Sequence, residues 1–278
     1  MGWGCRLILL ISELYGSERA RGLILMHGFQ ALGRLGAPAL VAACFALSAG
    51  WRSAFLLSAV LFGGWAALFI FSLQNFSVHA QRSAAGGGVR AVLHYLADVR
   101  LQTGLLGFVA ASGVEGVLIT WLPTYLQTEG AASQAGALLA LSAMLIGYTI
   151  IRLLLGSGRL TATARFIGAS VAAYLAGLAL VLSLPAQLYV LYPACVLLGA
   201  AVGSFWPALA TRLYDCFPDA QGIIGGLIVS ASVLGGATNV TLVGWIGDAF
   251  SLQQALLITP VFAVAYWWLY RSVALRMA

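Results

Sequence analysis

Lysine is absent from this chain, and all fourteen basic residues are arginine. Charge of either sign is scarce: charged residues make up 8% of the chain, against about 25% in a soluble globular domain. Histidine occurs only at His27, His79 and His94, and the four cysteines (Cys5, Cys44, Cys195, Cys216) lie far apart. No C-x-x-C spacing, G-x-S-x-G elbow, H-E-x-x-H helix or carboxylate pair occurs. An enzyme is therefore not expected, and neither is a metal or other cofactor. The net charge of +6 does not mark a nucleic-acid binder, because the arginines are spread singly among hydrophobic runs. The cysteines read as small apolar helix residues.

What the chain has in quantity is apolar surface: 62% of its 278 residues are hydrophobic. A water-facing fold of this length cannot hide so much, so an integral membrane protein with the lipid bilayer as its partner is expected. A crossing needs about 20 mostly apolar residues. Runs of that kind cover 23–47, 53–73, 104–126, 134–155, 166–184, 188–210, 222–245 and 252–270, after a shorter one ending near Leu14. The runs are continuous and too long for the alternating strands of a barrel. The expected fold is all-α, a polytopic transmembrane bundle of about nine spans. With alternate loops assigned to one side, Arg19, Arg21, Arg82, Arg90, Arg100, Arg159, Arg165, Arg212, Arg271 and Arg276 fall together, opposite Arg52 alone. The positive-inside rule then puts the C-terminus in the cytoplasm, as in a bacterial cytoplasmic (inner) membrane protein.

The longest loop holds Gly86-Gly87-Gly88. No strand or Lys-Ser/Thr accompanies it, so it reads as a linker and not a phosphate cradle. The chain divides accordingly into 1–74 with three helices, a cytoplasmic linker at 75–103, and 104–278 with six.

Only two charges sit near the centre of an apolar run, Glu115 and Arg34. An ionised carboxylate at that depth costs about 2.5–3.5 kcal/mol even on lenient scales, so it is expected to face water or a partner charge. Along 23–47, His27, Gln30 and Arg34 fall at i, i+3 and i+7, which makes a polar stripe on one face. The stripe suits a cavity wall better than helix packing. Ser232, Gly235, Gly236 and Asn239 form a second stripe, open to packing or to substrate contact. Gly199 and Gly203 read as packing residues. Arg152, near the end of its run, either snorkels to the interface or joins the site. Trp121 and Tyr125 either belong to an interfacial aromatic belt or close over a solute as a gate.

Several stretches resemble the major facilitator superfamily of transporters. Tyr15-Gly16-Ser17-Glu18-Arg19-Ala20-Arg21-Gly22, continuing into Leu25-Met26-His27-Gly28-Phe29 and Ala37-Pro38, resembles the family's fourth-to-fifth helix region. Gly50-Trp51-Arg52-Ser53-Ala54-Phe55 is similar to the outer turn before helix six. Val114-Glu115-Gly116 with Trp121-Leu122-Pro123-Thr124-Tyr125-Leu126 resembles helix seven, above all in fucose-permease-like members. Phe205-Trp206-Pro207-Ala208 resembles the end of helix ten, and Gly225-Gly226-Leu227 through Gly247-Asp248 resembles helix eleven. Two motifs depart from the pattern. Ala37-Pro38 stands for Gly-Pro, and the loop Gly158 to Arg165 lacks the usual acid.

The resemblance implies that helices one to three and part of four are missing. It also implies alternating access around a mid-membrane site. His27, Gln30 and Arg34 would then belong to the first half, and Glu115, Arg152 and Asn239 to the second. The expected function is secondary active transport of a small polar solute, a sugar or similar metabolite. Glu115 would either couple it to protons by taking up and releasing H⁺ or pair electrostatically with Arg34. The alternative is a non-transporting truncated fragment or a membrane scaffold. A nine-helix channel is a third reading.

Overall fold

The computed structural model describes residues 19–47, 50–73, 89–130 and 132–275, and all regular structure among them is helical. In chain order the helices are α1 (Arg19–Ala46), α2 (Gly50–Leu73), α3 (Val89–Leu96), α4 (Val99–Thr128) and α5 (Gln134–Gly156). After them come α6 (Ala164–Ser183), α7 (Leu188–Cys216), the 3-10 turn Pro218–Ala220, α8 (Gln221–Ala249), α9 (Leu252–Leu256) and α10 (Thr259–Leu275). Seven helical segments among the described residues are long and apolar enough to cross a bilayer: α2, α4, α5, α6, α7, the 3-10 turn with α8, and α9 with α10. The short first run and the Gly86-Gly87-Gly88 stretch lie outside the described residues.

Polar side chains set the helix starts. Asp98, Ser133, Thr163 and Ser251 cap α4, α5, α6 and α9, each accepting a hydrogen bond from a first-turn backbone N–H. Several helices outrun the apolar stretches that announce them. The cap on Asp98 starts α4 five residues before the run at 104, and α7 continues through Arg212 and Asp215 to Cys216. The last run, read as one span, is broken at Leu257 and Ile258. Pro260 lies in the first turn of α10, where its missing N–H costs nothing. Within the segment read as linker, α3 forms a short helix whose Tyr95 ring packs edge-on against Phe217, 5.9 Å between centroids.

The bundle is built on two close helix pairs, α5 with α7 and α4 with α8. At the first pair, glycine replaces side-chain contact with backbone contact. A Cβ on Gly199 or Gly147 would run into the carbonyl of Met144 or Val196, and one on Gly203 would sit 2.8 Å from the Tyr148 carbonyl. Gly199 and Gly203 are thus the packing residues the spacing suggested. At the second pair, Gly235 lies against the backbone of Val109 and Gly113 lies under Asn239. Helices α6 and α10 close the core, where Tyr174, Tyr266 and Tyr270 are buried. Each has a partner for its hydroxyl: Thr259, the Phe205 carbonyl and the Ala162 carbonyl.

Helix α1 packs mainly on α5, and α2 on α1. Phe55, Val60, Phe62 and Trp65 of α2 are exposed, the surface that lipid tails cover in a bilayer.

Two expectations follow from this packing. Gly199→Val should destabilise the bundle by about 3 kcal/mol, because the obstructing atoms are backbone. A lowered melting temperature in detergent would show it. Asp98→Ala should cost about 1 kcal/mol by uncapping α4. Hydrogen bonding from Arg100 holds the Asp98 carboxyl below its ordinary value. This contribution is present above the unfolded carboxylate pKa of about 3.9 and is lost as pH falls through the lower folded value. Comparing Asp98→Ala with the parent at neutral and strongly acidic pH checks both points.

Candidate functional site

Glu115 lies at the middle of α4, and its carboxylate is shared by three groups from two other helices. Arg34 on α1 donates from Nη1 to Glu115 Oε1 at 2.5 Å. Tyr148 on α5 donates its hydroxyl to the same oxygen at 2.7 Å and accepts from Arg34 Nη1 at 3.3 Å. Arg152, one turn further along α5, donates from Nη2 to Glu115 Oε2 at 3.3 Å. Both carboxylate oxygens are therefore engaged, as an ion removed from bulk water requires.

The two arginines differ in setting. Arg152 is 3% exposed. Its Nε donates to the Gly203 carbonyl at 3.2 Å, and its guanidinium lies over the Tyr148 ring, 4.1 Å from the centroid. That arrangement depends on the glycine contact between α5 and α7, because a side chain at position 203 would lift α5 off the carbonyl that Arg152 uses. The Arg34 side chain, by contrast, is 41% exposed and opens on a cavity of about 770 Å³. Helices α1, α4, α5, α7 and α8 form the cavity walls, with Gln30, Ser112, Thr120 and Ser232 among the polar lining. Trp206 on α7 donates Nε1–H to Ser232 on α8 at 3.1 Å, which ties together two walls of the cavity.

Of the residues singled out from sequence, Glu115, Arg34, Arg152 and Gln30 come together around this cavity. Position 27 is on α1, and the His27 side chain lies outside the described residues. Asn239 is elsewhere: it is buried between α8 and α4, donating to Gly235 O at 2.9 Å and Val109 O at 3.4 Å. Trp121 is held by the Val240 carbonyl at 2.9 Å and packs on Gly244. Tyr125 is fully buried, with its hydroxyl on the Leu182 carbonyl at 3.3 Å. These three are tied into helix packing and do not border the cavity. Sequence reasoning passed over Tyr148. The available signal was its position four residues before Arg152, which puts both on one helix face.

Among the described residues, no group of three or more His, Cys, Asp or Glu side chains is placed to hold a metal. What the site can do is hold a charged or polar solute beside a carboxylate whose charge is balanced from two directions.

Comparison with curated protein sequences gives no significant match. Among solved structures, the E. coli fucose:proton symporter FucP has a similar fold, with a TM-score of 0.70 at 16% identity over 92% of this chain and 69% of FucP. FucP solved as a Major Facilitator Superfamily transporter in its outward conformation gives the same values. At that identity the likeness is one of fold, and it agrees with the fucose-permease-like resemblance of helix α4. The sequence profile of the Major Facilitator Superfamily matches residues 7–238, a stretch that contains Arg34, Glu115, Tyr148, Arg152 and all the polar cavity residues named above. The chain belongs to the Major Facilitator Superfamily.

Proposed function

We propose that this chain carries a small polar solute across a membrane by alternating access, with the solute held in the cavity beside Arg34 and with Glu115 coupling its passage to proton movement. The supporting observation is that one carboxylate joins α1 to the α4–α5 pair across that cavity. In this reading 1–74 belongs to one half of the transporter, 75–103 is the linker and 104–278 is the six-span second half. The Arg34–Glu115 contact then bridges the halves. While ionised, Glu115 holds Arg34. A proton taken up by Glu115 removes that attraction, leaves Arg34 to the solute and loosens α1 from α4. Release of the proton restores the bridge.

That the similarly folded FucP is a fucose:proton symporter is in keeping with a small metabolite and with the proton as coupling ion. The arginine asymmetry of the loops supports a cytoplasmic C-terminus in an inner membrane.

Glu115→Gln keeps the side chain's shape and an oxygen that can accept the Tyr148 hydroxyl, but it cannot ionise. Proton-driven uptake by the chain in reconstituted vesicles should fall by about tenfold or more, since an uncompensated buried guanidinium alone costs several kcal/mol. The residual flux should lose its dependence on a pH gradient. Unchanged flux with an unchanged pH profile would rule out the coupling role.

A further inference from the structure

We propose that the cavity is an organic-anion site and that its ligand carries one carboxylate, which docks on the free edge of the Arg34 guanidinium. This rests on the transport reading of the cavity and names the substrate class for it. The first observation is charge balance. Arg34, Arg152 and Glu115 are the only ionisable side chains of full charge among the described cavity-lining residues, two cations against one anion. Arginine does not give up its proton in proteins, so one positive charge is left over in a low-dielectric site. While Glu115 is ionised, a single negative charge on the ligand balances that positive charge, a neutral sugar leaves it unbalanced, and a dianion replaces it with an excess negative charge. Once Glu115 is protonated, the pull on an anion is stronger still.

The second observation is donor geometry. Both hydrogen bonds that Arg34 makes among the described residues come from Nη1. The Nη2 and Nε edge is the planar fork that pairs with a carboxylate through two parallel hydrogen bonds. Arg152 cannot take this part, because its Nε and Nη2 are already committed to Gly203 and Glu115 and the residue is 3% exposed.

The third observation concerns the rest of the ligand. Ile119, Leu138, Leu141, Leu145, Val229 and Val233 make up much of the remaining wall. Such a surface takes the carbon skeleton of an organic acid, whereas phosphate or another compact inorganic anion leaves it uncovered. The ligand carboxylate and Glu115 compete for one guanidinium. Neutralising Glu115 should therefore strengthen anion binding, an effect with the opposite sign to structural damage.

The test uses the purified full chain in lipid nanodiscs and a panel of monocarboxylates of about three to ten carbons, a size the cavity accommodates. Each is paired with its primary amide, and inorganic phosphate is included. Binding is measured by calorimetry and ligand-induced thermal shift. At least one carboxylate should bind about tenfold or more tighter than its amide. Arg34→Gln should abolish the difference, Arg34→Lys should restore part of it, and Glu115→Gln should tighten carboxylate binding. The carboxylate-to-amide ratio of the parent protein decides even if a variant fails to fold. If the amides bind as well as the acids, if phosphate matches the best acid, or if no acid binds, the inference is overturned. Counterflow in vesicles separates this outcome from the underlying reading. Selective acid binding without counterflow refutes transport and keeps the anion site; counterflow of a neutral solute does the reverse.

Discussion

One carboxylate in the middle of a membrane helix has to be compensated, and the arrangement around Glu115 shows how. Its two oxygens collect a guanidinium from α1, a guanidinium from α5 and a phenol from α5. Each donor comes with its own requirement. Arg152 needs the Gly203 carbonyl, hence the glycine-lined contact of α5 on α7. Tyr148 needs burial against Arg152, and Arg34 needs α1 laid across α5. Helix order around the cavity is thus tied to the solvation of one ion. Removing Glu115 would leave two guanidiniums without their counter-charge, and loss of one partner of a buried pair is worth about 3–5 kcal/mol.

Elsewhere the bundle is held together by uncharged polar contacts. Hydroxyls of Tyr125 and Tyr266 and the indole of Trp121 each donate to a backbone carbonyl on a neighbouring helix, and the Tyr270 hydroxyl donates to the Ala162 carbonyl in the α5–α6 loop. Lipid tails are as apolar as leucine, so association of helices in a bilayer draws on such bonds and on close backbone approach. Glu129 extends the same principle to an end of the bundle, where its carboxylate accepts from the backbone N–H groups of Leu252 and Gln253 at the start of α9.

Much of this was legible in the sequence because the bilayer imposes a simple length rule. The apolar runs located the spans, and the two charges placed at mid-run, Arg34 and Glu115, proved to be partners. Boundaries were less legible, since a helix continues past its apolar stretch wherever caps such as Asp98 or a polar last turn satisfy the backbone. The fates of Trp121, Tyr125 and Asn239 depended on carbonyls supplied by other helices, and no local pattern encodes those. Arg152 stood near the end of its run with two destinations open. The stagger of α5 against α4 decided between them by bringing Arg152 level with Glu115. Helix α3 was hidden because its eight residues follow a Gly-rich stretch, and its place depends on Phe217, which is distant in sequence.

The contact of α5 on α7 has a mechanical consequence. At Gly147 and Gly199 backbone meets backbone, so the two helices mesh closely, like a rack and pinion. Neither can slide or roll against the other without collision at Gly147, Gly199 or Gly203. The neighbouring contact of α1 on α5 is of another kind, since Gly28 faces the branched end of Leu153, which can change rotamer. Compliance is therefore concentrated on one side of α5. The α1–α5 seam is the more yielding of the two, and the α5–α7 contact is the one that fixes the Arg152 guanidinium through the Gly203 carbonyl.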